Sequence, residues 1–125
     1  MGIPNATHQA ASNAVAALGA YISLHTGDAS TTGANEATGG GYARIQTTWS
    51  AGSTGTNTGS VVNISCAAGT YTQGGIWSAV SSGTFVGSAA FGGGNVVVSG
   101  TGARLTVPPS VTVAPVDVHP AHQIV

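Results

Sequence analysis

Glycine sets the main constraint on this chain. Twenty of its 125 residues are glycine, and they recur with Ser, Thr and Asn in runs such as Gly39-Gly40-Gly41, Ser50 to Ser60 and Gly92-Gly93-Gly94. Runs of this kind favour turns, because glycine enters left-handed backbone at no steric cost. Between them lie short segments rich in Val, Thr and aromatic residues, which suit a pleated, half-buried strand. Strong helix formers such as Leu, Glu, Lys and Gln are scarce. The chain therefore reads as strands joined by turns, at a length that fits one domain.

Alternation places strands at residues 21–25, 42–49, 61–66, 71–80, 84–91, 95–99, 103–107 and 111–114. In the first, Ile22 and Leu24 share a face. In the second, Ala43, Ile45, Thr47 and Trp49 share one face and Tyr42, Arg44, Gln46 and Thr48 the other. Gly74-Gly75 marks a bulge, and Pro108-Pro109 divides the last two strands. The expected fold class is mainly β: a single antiparallel β-sandwich, jelly-roll-like, of about eight strands with one N-terminal helix.

That helix is expected over residues 5–18. Asn5 is placed to cap it after Pro4, and Ala11, Ala14, Val15 and Leu18 make an apolar stripe at helical spacing. Gly19 is a natural stop. The domain spans residues 1–114. Residues 115–125, with two prolines and two histidines, read as an extended C-terminal tail. Val15 and Leu18 on the helix, and Val116, Val118, Ile124 and Val125 in the tail, are the candidate interface residues.

Charge excludes several functions. Only 4% of residues are charged, against about 25% in ordinary soluble domains. They are Asp28, Glu36, Arg44, Arg104 and Asp117, and lysine is absent. Two arginines sixty positions apart cannot neutralise a run of phosphates, so no nucleic-acid partner is expected. Polybasic attachment to an acidic membrane fails for the same reason. No run approaches the ~20 apolar residues of a membrane helix, and no signal peptide is evident. A net charge of −1 favours association over mutual repulsion.

The search for chemistry is nearly empty. Cys66 is the single cysteine, alternates with Val62 and Ile64, and reads as inert core. No Gly-x-Ser-x-Gly elbow accompanies the many serines. A phosphate loop needs a lysine, and Gly39-Gly40-Gly41 leads into Tyr42 rather than a helix. His119 and His122 lack a third metal ligand, and His8 is expected to be exposed. The aromatic residues all fall on expected strands and read as core, with an exposed glycan platform as the alternative. No catalytic, cofactor or metal set is assigned.

What remains is the long segment 26–41. Loops of this length inside a compact domain carry function or special order. His25 is expected to anchor it by hydrogen bonding. Asp28 and Glu36 are expected to cap its backbone N–H groups, or one of them to pair with Arg44 across its base. With Asn35, these residues form the expected loop-stabilising set: His25, Asp28, Asn35, Glu36 and Arg44.

Two blocks resemble a known family. The run Ser23-Leu24-His25-Thr26-Gly27-Asp28, then Thr31-Thr32-Gly33-Ala34-Asn35-Glu36, then Gly40-Gly41-Tyr42-Ala43-Arg44 and Trp49, resembles small phage proteins commonly labelled tail fibre proteins, frequent in phages of actinobacteria. A second block runs from Ala68-Gly69-Thr70-Tyr71-Thr72 through Gly75-Ile76-Trp77-Ser78-Ala79 to Gly83-Thr84-Phe85-Val86-Gly87. The resemblance spans roughly residues 10–107 and does not reach the tail. The family often has Pro where Ala29 stands, so the turn after Asp28 is expected to be looser here.

The resemblance implies a non-enzymatic component of the phage particle, assembled in the host cytoplasm. Its expected partners are copies of itself, for example as a trimer, and other virion proteins such as the major capsid protein. The leading expectation is a capsid decoration (cement) protein, since the chain is short and has no fibrous shaft. The alternatives are a tail-fibre subunit or a host-glycan-binding module.

Overall fold

The computed structural model describes residues 3–100 and 102–113. The tail positions Val116, Val118, Ile124 and Val125, and the pair His119 and His122, lie outside the described residues. The chain is mainly β and sandwich-like, and the described residues form one helix, α1 (Asn5–Ala16), and eleven short strands in place of about eight. All ladders are antiparallel.

The centre is β1 (Tyr21–His25). It lies between β2 (Ile45–Gln46) and β7 (Gln73–Trp77), and β8 (Phe85–Ala90) completes the sheet in the order β2-β1-β7-β8. Tyr21 stands opposite Trp77, Ser23 opposite Gly75 and His25 opposite Gln73. Against this sheet lies a two-stranded ladder of β5 (Val62–Cys66) and β10 (Ala103–Val107). Side chains alternate across a strand, so Ile22 and Leu24 point one way. They join Val62, Ile64, Cys66, Tyr71 and Val107 in the core. Cys66 is a fully buried free thiol.

A three-stranded sheet joins β3 (Trp49–Ala51), β4 (Thr56–Gly59) and β11 (Ser110–Thr112), and β6 (Gly69–Tyr71) pairs with β9 (Val96–Val98). The expected strand 42–49 is broken. Ile45 is 37% exposed, whereas Arg44 is buried. The chain at Arg44 follows an ion pair, described below, instead of the sheet's alternation.

The helix turns its polar face to the body of the domain. It buries His8, Gln9, Ser12 and Ala16, while Ala11 and Ala14 are exposed and Leu18 is 61% exposed. Hydrogen bonds hold the polar face to the β3-β4-β11 sheet. Ser12 Oγ donates to the Val111 carbonyl (3.0 Å), and Asn57 Nδ2 donates to Ser12 Oγ (2.8 Å) and Asn13 Oδ1 (2.9 Å). The Gly55 N–H donates to Gln9 Oε1 (2.9 Å). His8, expected outside, is buried, and its Nε2 has no hydrogen-bond partner. Asn5 is the first helical residue and not a cap. Pro4 holds the cap position, which has no side-chain bond. The helix ends at Ala16, two residues before the expected end, and Ala17 serves as its C-cap.

Candidate functional site

The segment from Thr26 to Arg44 folds over the outer face of β1 and β7. The strand's own pattern prepares this, because Ser23 and His25 project away from the core face and still lie fully buried. His25 Nδ1 is 2.8 Å from the Ala34 carbonyl oxygen. A carbonyl only accepts, so Nδ1 carries the proton, and in the neutral ring Nε2 is then an acceptor. Ser23 Oγ, 2.8 Å from Nε2, therefore donates to it. The same oxygen accepts from Trp77 Nε1 at 3.0 Å.

A serine donating to a histidine is the arrangement of a nucleophile and its base. Here it is sealed. A Cβ on Gly75 would sit 2.5 Å from Ser23 Oγ and 2.7 Å from His25 Nε2. Phe85 packs edge-on against both His25 and Trp77. The dyad orders the interior and presents no attacking oxygen to solvent.

Arg44 and Glu36 close the outer side. Arg44 Nε and Nη2 donate to Glu36 Oε2 (2.7 Å) and Oε1 (2.8 Å), a bidentate pair. Arg44 Nη1 donates to the Ala79 (3.0 Å) and Ser82 (2.8 Å) carbonyls, which fastens the 78–83 turn. The guanidinium carbon stands 3.7 Å from the Trp77 ring centroid, so the cation also stacks on that ring. Tyr42 Oη donates to Glu36 Oε2 (2.7 Å) and accepts from the Leu24 N–H (3.2 Å).

The electrostatics follow this geometry. Burial pushes the Glu36 carboxyl upward, but hydrogen bonds from Arg44 and Tyr42 outweigh it and hold the group below its ordinary value. Burial, then the neighbouring carboxylate, raises the Tyr42 phenol. The hydrogen bond to Glu36 keeps Arg44 protonated against the opposing effect of burial. Near neutral pH Glu36 is therefore ionised, and Tyr42 and Arg44 keep their protons.

Asp28 and Asn35 act at the loop's far end. Asp28 Oδ1 accepts from the Ser30 N–H (2.9 Å) in an Asx-type turn, and Asn35 Nδ2 donates to the Asp28 carbonyl (2.8 Å). The Ala29 N–H donates to Gln73 Oε1 (3.0 Å), a bond proline could not make. The turn expected to be looser is tied to β7 instead, and Ala29 is fully buried. The five residues singled out in the sequence thus lie in one loop structure. Ser23, Tyr42, Gln73 and Trp77 share it and were not singled out. The signal for Trp77 was its place two residues after Gly75, which leaves room for its indole N–H to reach Ser23.

None of the seven aromatic residues of the described strands and loops stands exposed; each is buried or half-buried. Among the described residues, no three His, Cys, Asp or Glu side chains gather as for a metal ion. No helix among them is long and apolar enough to cross a membrane.

The profile of the podophage GP4 fiber I protein gp80 family matches residues 5–113. The chain belongs to this phage fibre family. No curated protein and no solved structure matches it. The match covers the helix, the sealed loop and all eleven strands. It makes the chain a virion-associated structural protein of a phage. It favours the fibre alternative over capsid decoration, the leading expectation from the sequence, and gives no indication that the host is an actinobacterium.

Proposed function

We propose that this protein is a non-enzymatic fibre subunit of a phage particle, working through packing against copies of itself and neighbouring virion proteins. The family match over residues 5–113 carries this reading. The disposition of charge supports it. Glu36 and Arg44 are consumed in an internal ion pair. Aliphatic side chains remain outside, with Leu18 61%, Val61 59%, Val80 53% and Val97 76% exposed. Among the described residues, the Ser23–His25 dyad is fully buried and no aromatic ring stands exposed, which supports this reading over an enzyme or a glycan-binding module. Immunogold electron microscopy of intact particles tests the proposal. Label along fibres projecting from the tail is the expected result. Label confined to the capsid faces would restore the decoration reading.

A further inference from the structure

The two halves of the sandwich are unequal. Four strands face a ladder of two, in which β5 lies against β1 and β2. The inner face of β7 and β8 is left open. An apolar groove with a cavity volume of about 890 Å³ results, lined by Ile76, Val86, Phe91, Leu105, Val107 and Val111 among others. Ile76, Val86, Phe91 and Leu105 are only half-buried there, as in a core lacking its cover.

The groove is bounded by unguarded backbone. Among the described residues β8 ends its sheet, and one side of it has no strand partner. Its sequence, Phe-Val-Gly-Ser-Ala-Ala, has no charge and no proline. Natural edge strands are normally blunted by such residues, to prevent pairing with another chain. An open edge beside an apolar trough is the setting for strand addition. Main-chain hydrogen bonds supply affinity, and alternate side chains enter the trough.

We propose that this groove receives residues 114–125 of a second copy of the chain, added as a strand along β8. These twelve residues follow β11, whose Val111 and Thr112 already line the groove. Extended, twelve residues reach roughly 40 Å, and a six-residue strand such as β8 is about 20 Å long. Val116, Val118 and Ile124 all fall on even positions, hence on one face of a strand. The charged Asp117 falls on the opposite face, and Pro120 and His122 share the face of the three aliphatic residues.

Exchange between copies follows from the fibre-subunit reading, on which this inference rests. A tail folded into its own groove would close the molecule on itself. A tail donated to the next copy makes a head-to-tail contact, which closes into a ring or extends as a filament.

The test uses the full chain at a series of concentrations, with light scattering and amide hydrogen exchange read together. The expected result is an oligomer that dissociates on dilution. Exchange at the β8 amides should be slowed at least about tenfold relative to the Gly92–Gly94 turn, and that protection should vanish on dilution. Val118→Asp, and separately Ile124→Asp, should abolish both oligomer and β8 protection while β1 and β5 stay protected. Retained protection of β1 and β5 separates loss of the contact from loss of folding. A monomer with protected β8 amides would mean the chain fills its own groove and would overturn the proposal. Unprotected β8 at every concentration would overturn it in favour of a different protein as occupant. An oligomer indifferent to both substitutions would place the interface elsewhere. In each of these cases fibre label on particles would stand, so the two readings fail separately.

Discussion

The two faces of the β2-β1-β7-β8 sheet are finished in opposite ways. On the outer face, the 26–44 loop lies over β1 and β7, and Ser23, His25, Glu36 and Arg44 each find partners inside the molecule. On the inner face, β7 and β8 look into an apolar groove with an open strand edge. The polar residues that suggest chemistry are spent on internal order. The surface left for other molecules is shape, aliphatic side chains and free backbone. In a chain with five formal charges, this division is what supports the proposed assembly role.

The largest expected effect tests whether the outer face is as tightly closed as it looks. Gly75→Ala puts a methyl group 2.5 Å from Ser23 Oγ and 2.7 Å from His25 Nε2, among rings that cannot withdraw. The Ser23–His25–Trp77 chain must open or the loop must lift. The expected loss is at least about 3 kcal/mol, from overpacking together with broken buried hydrogen bonds. Chemical denaturation measures it. A loss below about 1 kcal/mol would show that the loop is a loose flap, and the contrast between the faces would collapse.

Glu36→Gln sharpens the same contrast with a smaller effect. The Glu36 carboxyl is held below its ordinary value of 4.5 in the folded protein. The unfolded chain therefore takes up the proton first as pH falls. The ion pair's stabilisation is complete above about pH 4.5 and disappears as pH drops through the lowered folded value. Gln has no proton to gain, so the variant loses this part of the acid sensitivity. At pH 7 it should be about 2–3 kcal/mol less stable, the range for a largely buried, charge-assisted pair. Urea midpoints at pH 7 and pH 3 measure both. Parallel acid limbs in the two proteins would mean the pair contributes nothing.

The same contrast explains what could be read from the chain itself. Strand β1 was legible, since Ile22 and Leu24 alternate and both enter the core. The loop and its charged residues stood out because so few charges exist elsewhere. Trp77 joined to Arg44 across thirty-three positions was not legible, because nothing local to either residue records the stacking. Residues 42–49 misled for a related reason. Their alternation is sound, but a guanidinium able to reach a carboxylate, two carbonyls and a ring outweighs one turn of strand pairing. The open groove was invisible, because hydrophobic patterning marks an apolar face without telling what covers it.

The helix brings the comparison to its weakest but most discriminating case. Its apolar stripe carries Val15 and Leu18, two of the candidate interface residues, while Ser12, Gln9 and Asn57 hold the opposite, polar face to the β3-β4-β11 sheet. Leu18, 61% exposed, has little to lose from substitution in the isolated molecule. Leu18→Asp should change folding stability by no more than about 0.5 kcal/mol, as expected for a surface site away from packing. If the stripe is a second contact between copies, the same change puts a charge into that contact and weakens association. Denaturation and light scattering on one sample separate the two effects. Unchanged stability with reduced association would class the helix with the groove, as surface left free for assembly. A stability loss above about 1 kcal/mol would class it with the loop, as part of the internal order.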